Sequence, residues 1–311
     1  MRSLVRQRST KVQDQSRCIA HMQKALTQMN VQLDRVVSDL TGKTGLSILR
    51  RVVAGERDPK ALAQLRDRRL RADEETVARS LEGNWRREHL FALGQALAQF
   101  DFLGAQIKEC DAAIAESLER LPAVGTGDVE MSKVMKSPHR SAQQQTALHR
   151  ALYSMLGVDL TRIPTIAIDT ALVLASEIGA DLRRFPSSEQ FCAWLGLAPP
   201  TRISGGKPLP GRAPTVFNRA GQALRQAAVN ARRSESFIGA SHRARLARMD
   251  KSSAVKATAH QLARWIYALL TKGQAYVERG IGAFELERRD RQLQALQRKA
   301  AKLGAAVLLP A

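Results

Sequence analysis

From Leu90 to Leu121 the chain repeats itself in steps of three and four. Leu90, Leu93, Leu97, Phe100, Gly104, Ile107, Asp111, Ile114, Leu118 and Leu121 stand at alternating spacings, and eight of these ten residues are large and apolar. A repeat of seven with two apolar positions keeps one stripe on a single side of an α-helix, so this stretch predicts a coiled-coil seam of about four heptads. The seam is suited to packing within the chain or against a second copy. Either way it commits this part of the molecule to helix.

The same periodicity predicts helix on both sides of the seam. Met22, Leu26, Met29 and Leu33 are four, three and four apart, Val36, Val37 and Leu40 continue the stripe, and Gly42 and Gly45 punctuate its end. Asp58-Pro59 opens a second helical region, because proline suits a first helical turn. The charged run from Arg66 to Glu75 reads as a solvated face. Between Pro122 and Gln145 the periodicity is lost and Gly, Ser, Pro and Gln accumulate, which predicts a linker. Leu148, Leu152, Met155 and Leu156 then start a new helical domain, followed by Ile163-Pro164-Thr165-Ile166-Ala167 and an apolar helix from Thr170 to Ile178 closed by Gly179. That order has the outline of a helix-hairpin-helix unit, with Thr165 and Ala167 where such hairpins usually carry glycine. It suits both a phosphate-contacting hairpin and a purely structural helix pair.

Ser187 or Ser188 is expected to cap a short helix carrying Phe191, Trp194 and Leu195. Residues Thr201 to Ala220 hold Gly205, Gly206, Pro208, Pro210, Gly211 and Pro214, and are expected to form a long irregular loop. Beyond it Leu224, Ala227, Ala228 and Ala231 form a packing stripe, while Arg225 and Arg232 share a basic outer face. Val255, Ala259, Leu262, Ile266 and Leu269 mark a buried helix on which His260 and Trp265 are packing residues, and Glu285 to Lys302 reads as a charged helix. The expected fold is mainly α: a helical and coiled-coil N-terminal region, then a small helical domain with the helix-hairpin-helix-like unit. The expected divisions are an N-terminal helical region at 1–52, a coiled-coil region at 53–122, a linker at 123–145, a C-terminal domain at 146–275 and a basic helical tail at 276–311.

Charge narrows the function. The 311 residues carry 49 Lys and Arg against 29 Asp and Glu, a net +20, and residues 201–311 hold 21 basic and 6 acidic residues, so three quarters of the surplus lies there. A polyanion is the natural partner, and with only 5% aromatic residues phosphate contact is expected to outweigh base stacking. No apolar run reaches the roughly 18 residues of a membrane span and no secretory leader is legible, so a cytoplasmic location without membrane contact is expected. Cys18, Cys110 and Cys192 are too scattered for a disulfide framework or a zinc site and are expected to be buried thiols.

Arg202-Ile203-Ser204-Gly205-Gly206-Lys207 is the candidate for chemistry. A serine beside two glycines has an accessible Oγ and a backbone that a ligand can approach, although Ser-Gly-Gly also suits an ordinary turn. Ten Lys or Arg and the single acid Glu235 lie between Arg202 and Arg248, a field able to neutralise phosphates and the charge of a phosphodiester under attack. A P-loop does not fit, since Thr201 takes the required glycine position and Pro208 follows Lys207. Ser204-x-x-Lys207 matches one motif of penicillin-binding enzymes, but Lys43-Thr44-Gly45 lies on the wrong side of it.

Several ordered stretches resemble transposases of the insertion sequence 110 family, the DEDD-type enzymes that include Piv-like DNA invertases. They are His21 to Asn30, Gly55 to Pro59, Glu88 to Leu93, Ile178-Gly179 with Arg184-Phe185-Pro186, Trp194 to Leu197, and Ile203-Ser204-Gly205-Gly206-Lys207 followed by Asn218-Arg219-Ala220 and Gln222 to Arg225. The resemblance implies that Ser204 is a nucleophile forming a phosphoserine link to DNA. It also implies a guide RNA as a second partner beside double-stranded DNA, and magnesium held by an N-terminal RuvC-like carboxylate domain. This chain begins at a segment resembling the one that follows that domain, so a truncated, impaired recombinase is expected. The alternative is a non-catalytic nucleic-acid-binding protein that dimerises through the coiled coil. Charge and position assign phosphate holding to Arg202, Lys207 and Arg212 on the loop, and to Arg219, Arg225 and Arg232 beyond it.

Overall fold

The computed structural model describes residues 1–125, 140–198 and 218–273 in full, the backbone of 202–204 and 207–209, and scattered helical positions between 275 and 302. The fold is mainly α, and the chain divides into two compact units, Met1–Ile114 and Ala115–Ala311, with the boundary inside one long helix.

In the first unit, α1 (Arg2–Gln28) ends where Asn30 takes a left-handed conformation, φ 58°. A short α2 (Leu33–Val36) follows, then α3 (Lys43–Val53). The single helix expected over residues 1–52 is therefore three. Gly42 is the N-cap of α3 and does not close the preceding stripe. Gly45 lies inside α3, where a Cβ would stand 2.2 Å from the Leu40 carbonyl oxygen, so this position is small because two backbones touch there. Asp58 caps α4 (Pro59–Ala63) by accepting from the amides of Lys60 and Ala61, and Asp73 caps α5 (Glu74–Ser80) by accepting from Thr76. The charged run between these helices is turn and cap, not the face of a helix.

The heptad stretch is a 33-residue helix, α6 (Arg87–Glu119). Within the first unit its stripe is turned toward α1: Leu93, Leu97, Leu103, Ile107 and Ile114 are buried, and Arg8 of α1 donates to Asp111 at 2.6 Å. Gln15 donates to the Phe100 carbonyl at 3.1 Å, and Gly104 leaves room for that side chain. Arg8 meets residue 111 and Gln15 meets residue 100, so α1 and α6 run antiparallel. Met22, Leu26 and Met29 join Leu33, Ile48, Leu49, Leu62, Val77 and Leu81 with Leu93 and Leu97 in one core. Each fully buried side chain of this size contributes about 1.5–3 kcal/mol. Cys18 is buried as expected, but Cys110 is only half-buried because it sits beside the packing stripe of α6.

The second unit begins its main bundle at α7 (Ala142–Leu156), which Ser141 and Gln144 start with a reciprocal capping box and Gly157 ends in a left-handed turn, φ 71°. A 3-10 turn (Leu160–Arg162) and a bend at Thr165, φ 77°, lead into α8 (Ile168–Ile178). Ser187 caps α9 (Ser188–Trp194). The region expected to be wholly irregular contains two short antiparallel strands, β1 (Arg202–Ser204) and β2 (Lys207–Leu209), the only sheet among the described residues. Gly205 and Gly206, between them in sequence, lie outside the described residues. Next come α10 (Arg219–Asn230), α11 (Phe237–Leu246) and α12 (Lys251–Lys272). The central α10 lies against α8 and α12, burying Leu224, Ala227 and Ala228.

Candidate functional site

The serine segment is held at both ends by packed structure. On its upstream side, Phe185, Phe191, Trp194 and Tyr267 form an aromatic cluster with ring centroids 5.2–6.2 Å apart. Arg184 covers that cluster, its guanidinium 4.7 Å from the Phe185 ring and 4.9 Å from that of Trp194. Tyr267 donates to the Phe185 carbonyl at 2.9 Å, fixing the segment between α8 and α9 to α12. On the downstream side, Asn218 works in two directions. Its Oδ1 accepts from the Gly221 amide at 3.1 Å and caps α10, while its Nδ2 donates to the Trp194 carbonyl at 3.1 Å. Gly221 lets α10 approach closely, since a Cβ there would stand 2.1 Å from the Leu195 carbonyl oxygen. The exit of α9 and the entry of α10 are thus joined, and the nineteen residues 199–217 between them leave and return at one place.

Ser204 ends β1 and pairs in register with Lys207, the first residue of β2, while Arg202 pairs with Leu209. The pleat gives Arg202, Ser204 and Lys207 positions on one side of the hairpin, and Ile203 and Pro208 positions on the other. Arg212 lies outside the described residues. Arg219 opens α10 directly after the Asn218 cap, and Arg225 follows it about 9 Å along the helix axis at 1.5 Å per residue. Arg232 is exposed in a 3-10 turn (Ala231–Arg233) after α10, where Arg243 donates to its carbonyl at 3.1 Å. The structure thus groups Arg219 and Arg225 on α10 and associates Arg232 with α11.

Sequence reasoning did not assign Asn218 its clamp, although an Asn immediately before a helical stripe is a legible cap. The bond to Trp194 has no local signal. The other reactive side chains are occupied elsewhere. Burial pushes the Cys192 thiol up to about 11, and it contacts the His260 carbonyl at 3.9 Å. His149, Asp159 and Thr161 bond to one another in the interior, with His149 Nε2 2.8 Å from Asp159 Oδ1 and the Thr161 hydroxyl donating to the same oxygen at 2.6 Å. Burial and the guanidinium of Arg264 lower the pKa of His260. Trp265 packs edge-on against Phe237 at 5.7 Å.

Among the described residues no three His, Cys, Asp or Glu side chains cluster as a metal site. No described helix is long and apolar enough to cross a membrane.

Residues 158–242 match the model of the transposase IS116/IS110/IS902 family. The matched segment runs from the end of α7 into α11 and includes the serine hairpin and α10. No curated protein and no solved structure matches the chain.

Proposed function

We propose that this chain is a DNA transposase or recombinase of a bacterial insertion sequence, with Ser204 as the attacking nucleophile. Ser204 Oγ would form a bond to phosphorus in a DNA phosphodiester as one P–O bond to sugar breaks, the departing sugar oxygen taking up a proton. A covalent phosphoserine link to one DNA end results. Arg202, Lys207 and Arg212 hold the phosphates flanking the attacked bond, and Arg219, Arg225 and Arg232 hold those further along the backbone. The carrying observation is that Ser204 lies inside the family-matched segment at the end of a glycine-linked hairpin, in register with Lys207. The +15 of the C-terminal third also suits a guide RNA that pairs with donor and target DNA. No step here runs through magnesium.

A second reading is favoured by one feature of α6. Phe91 and Phe102 are 69% and 61% exposed, and with the exposed Ala98 and Ala105 they form a stripe opposite the one turned toward α1. A homodimer through this coiled-coil-like face would bind nucleic acid without cutting it. Incubating the chain with labelled element-end DNA, candidate guide RNA and magnesium, then denaturing, separates the two readings. The recombinase reading predicts a denaturation-resistant adduct that Ser204→Ala abolishes. Binding without any adduct favours the dimerisation module.

A further inference from the structure

A second group of cations lies outside the serine hairpin, where the 3-10 turn, α11 and α12 meet. Arg243 donates through Nη1 to the carbonyls of Arg232 and Ser234 at 3.1 and 2.7 Å. Arg245 donates to the Thr258 hydroxyl at 2.9 Å and to Gln261 Oε1 at 2.7 Å. Every one of these acceptors is neutral. Among the described residues none of Arg232, Arg243 and Arg245 joins an ion pair, and Glu235, the single acid between Arg202 and Arg248, does not neutralise them.

Burial lowers the pKa of the Arg245 guanidinium, the direction expected when a cation is desolvated without a counter-charge. Beneath the group His242 is buried, with Nδ1 2.9 Å from the Thr258 hydroxyl. That hydroxyl accepts from Arg245 and keeps both its hydrogen and a second lone pair for the bond to Nδ1, so a neutral imidazole fits here as either tautomer. Burial first, then the charges of Arg245, Arg232 and Arg243, lower the pKa of His242, and this agrees with the neutral form. Arg245 thus shares the Thr258 hydroxyl with this buried histidine, while Arg243 is tied to the Arg232 turn through its carbonyl. Arg243 and Arg245 are fixed by neutral bonds that leave about three of the five N–H donors of each guanidinium uncommitted.

We infer that Arg232, Arg243 and Arg245 form a phosphodiester-binding site, a second point at which the backbone of a nucleic acid is gripped apart from the serine hairpin. Fork-shaped donors suit phosphate oxygens, and an arriving phosphate supplies the counter-charge that the fold does not. The inference rests on the proposed nucleic-acid function but not on Ser204 being a nucleophile. Duplex DNA and RNA share the recognised group.

The test is the salt dependence of affinity, measured on the full chain with a 30-base-pair duplex and separately with an RNA of the same length. Each phosphate that the protein no longer neutralises lowers the slope of log K against log salt by about 0.9 on duplex DNA and about 0.7 on a single strand. Arg232→Gln, an exposed residue, is expected to lower the duplex slope by about 0.9, and Arg232→Gln with Arg243→Gln by about 1.8, with affinity at 0.1 M salt weakened at least about tenfold. Thermal melts confirm that each variant is folded, and Arg245→Lys is expected to keep most of the slope because the charge remains. A change on one probe alone assigns the site to that nucleic acid. Unchanged slopes on both probes overturn the inference, and so does an equal reduction from Arg183→Gln, an exposed arginine already paired with Asp181 at 2.8 Å. A wild-type chain with no salt-dependent binding overturns the nucleic-acid function itself.

Discussion

Replacing Asn218 tests the claim that the serine segment is anchored where it leaves and returns. The Asn218 side chain caps α10 through the Gly221 amide and donates to the Trp194 carbonyl, both at 3.1 Å. Asn218→Ala removes both bonds. Loss of an N-cap costs about 1 kcal/mol, and leaving a part-buried carbonyl without its donor costs about 1–3 kcal/mol more. The expected total is about 2–4 kcal/mol. At about 2–4 °C per kcal/mol for a unit of this size, the melting temperature of the second unit falls by roughly 4–16 °C. Asn218→Ser keeps a capping oxygen but cannot reach Trp194, so it is expected to recover about 1 kcal/mol of that loss. Thermal unfolding followed by circular dichroism reads both variants. A loss below about 0.5 kcal/mol for Asn218→Ala, or equal losses for the two variants, refutes the two-way clamp.

Four further outcomes are expected. Gly221→Ala forces a methyl to within 2.1 Å of the Leu195 carbonyl oxygen, so α10 must move, and a melting temperature equal to wild type would contradict the close approach. Breaking the nearly buried Arg8–Asp111 pair with Arg8→Ala is expected to destabilise the first unit by about 3–5 kcal/mol, read by urea unfolding, because a nearly buried carboxylate loses this cation. His242 and His260 have pKa values lowered below 6.5, so the unfolded chain binds protons first; stability is full above pH 6.5 and falls as pH drops below it. His242→Gln is expected to flatten that profile in pH-dependent denaturation. Finally, Cys192, buried and pushed up to about 11, is expected to resist alkylation at pH 8 until the protein is unfolded, as peptide mapping would show.

The helical organisation was legible because periodicity is local. The α6 stripe, the caps at Asp58 and Ser187, and the packing of Leu224, Ala227 and Ala228 follow from spacing and residue type within a few turns of chain. What the spacing missed depends on distant partners. Gly45 lies within a helix and is small because the Leu40 backbone passes against it, and the first helix breaks before Asn30 even though the apolar stripe runs on. The β1–β2 pair was hidden because three-residue strands holding Pro208 carry almost no alternation signal. At the site, Ser204 and its flanking cations stood out as a motif. The Asn218–Trp194 bond and the bonds from Arg245 to Thr258 and Gln261 join residues far apart in sequence and leave no trace in local pattern.

The most direct test of the central claim is to find the atom that carries DNA. Proline after Lys207 blocks tryptic cleavage there, so digestion releases Ile203–Arg212, a peptide whose single hydroxyl side chain is Ser204. After incubation with element-end DNA, candidate guide RNA and magnesium, nuclease trimming and mass spectrometry are predicted to show this peptide heavier by a nucleotide phosphate. An adduct on any other peptide, or a Ser204→Ala chain that still becomes linked to DNA, would contradict the assignment of Ser204 as the nucleophile.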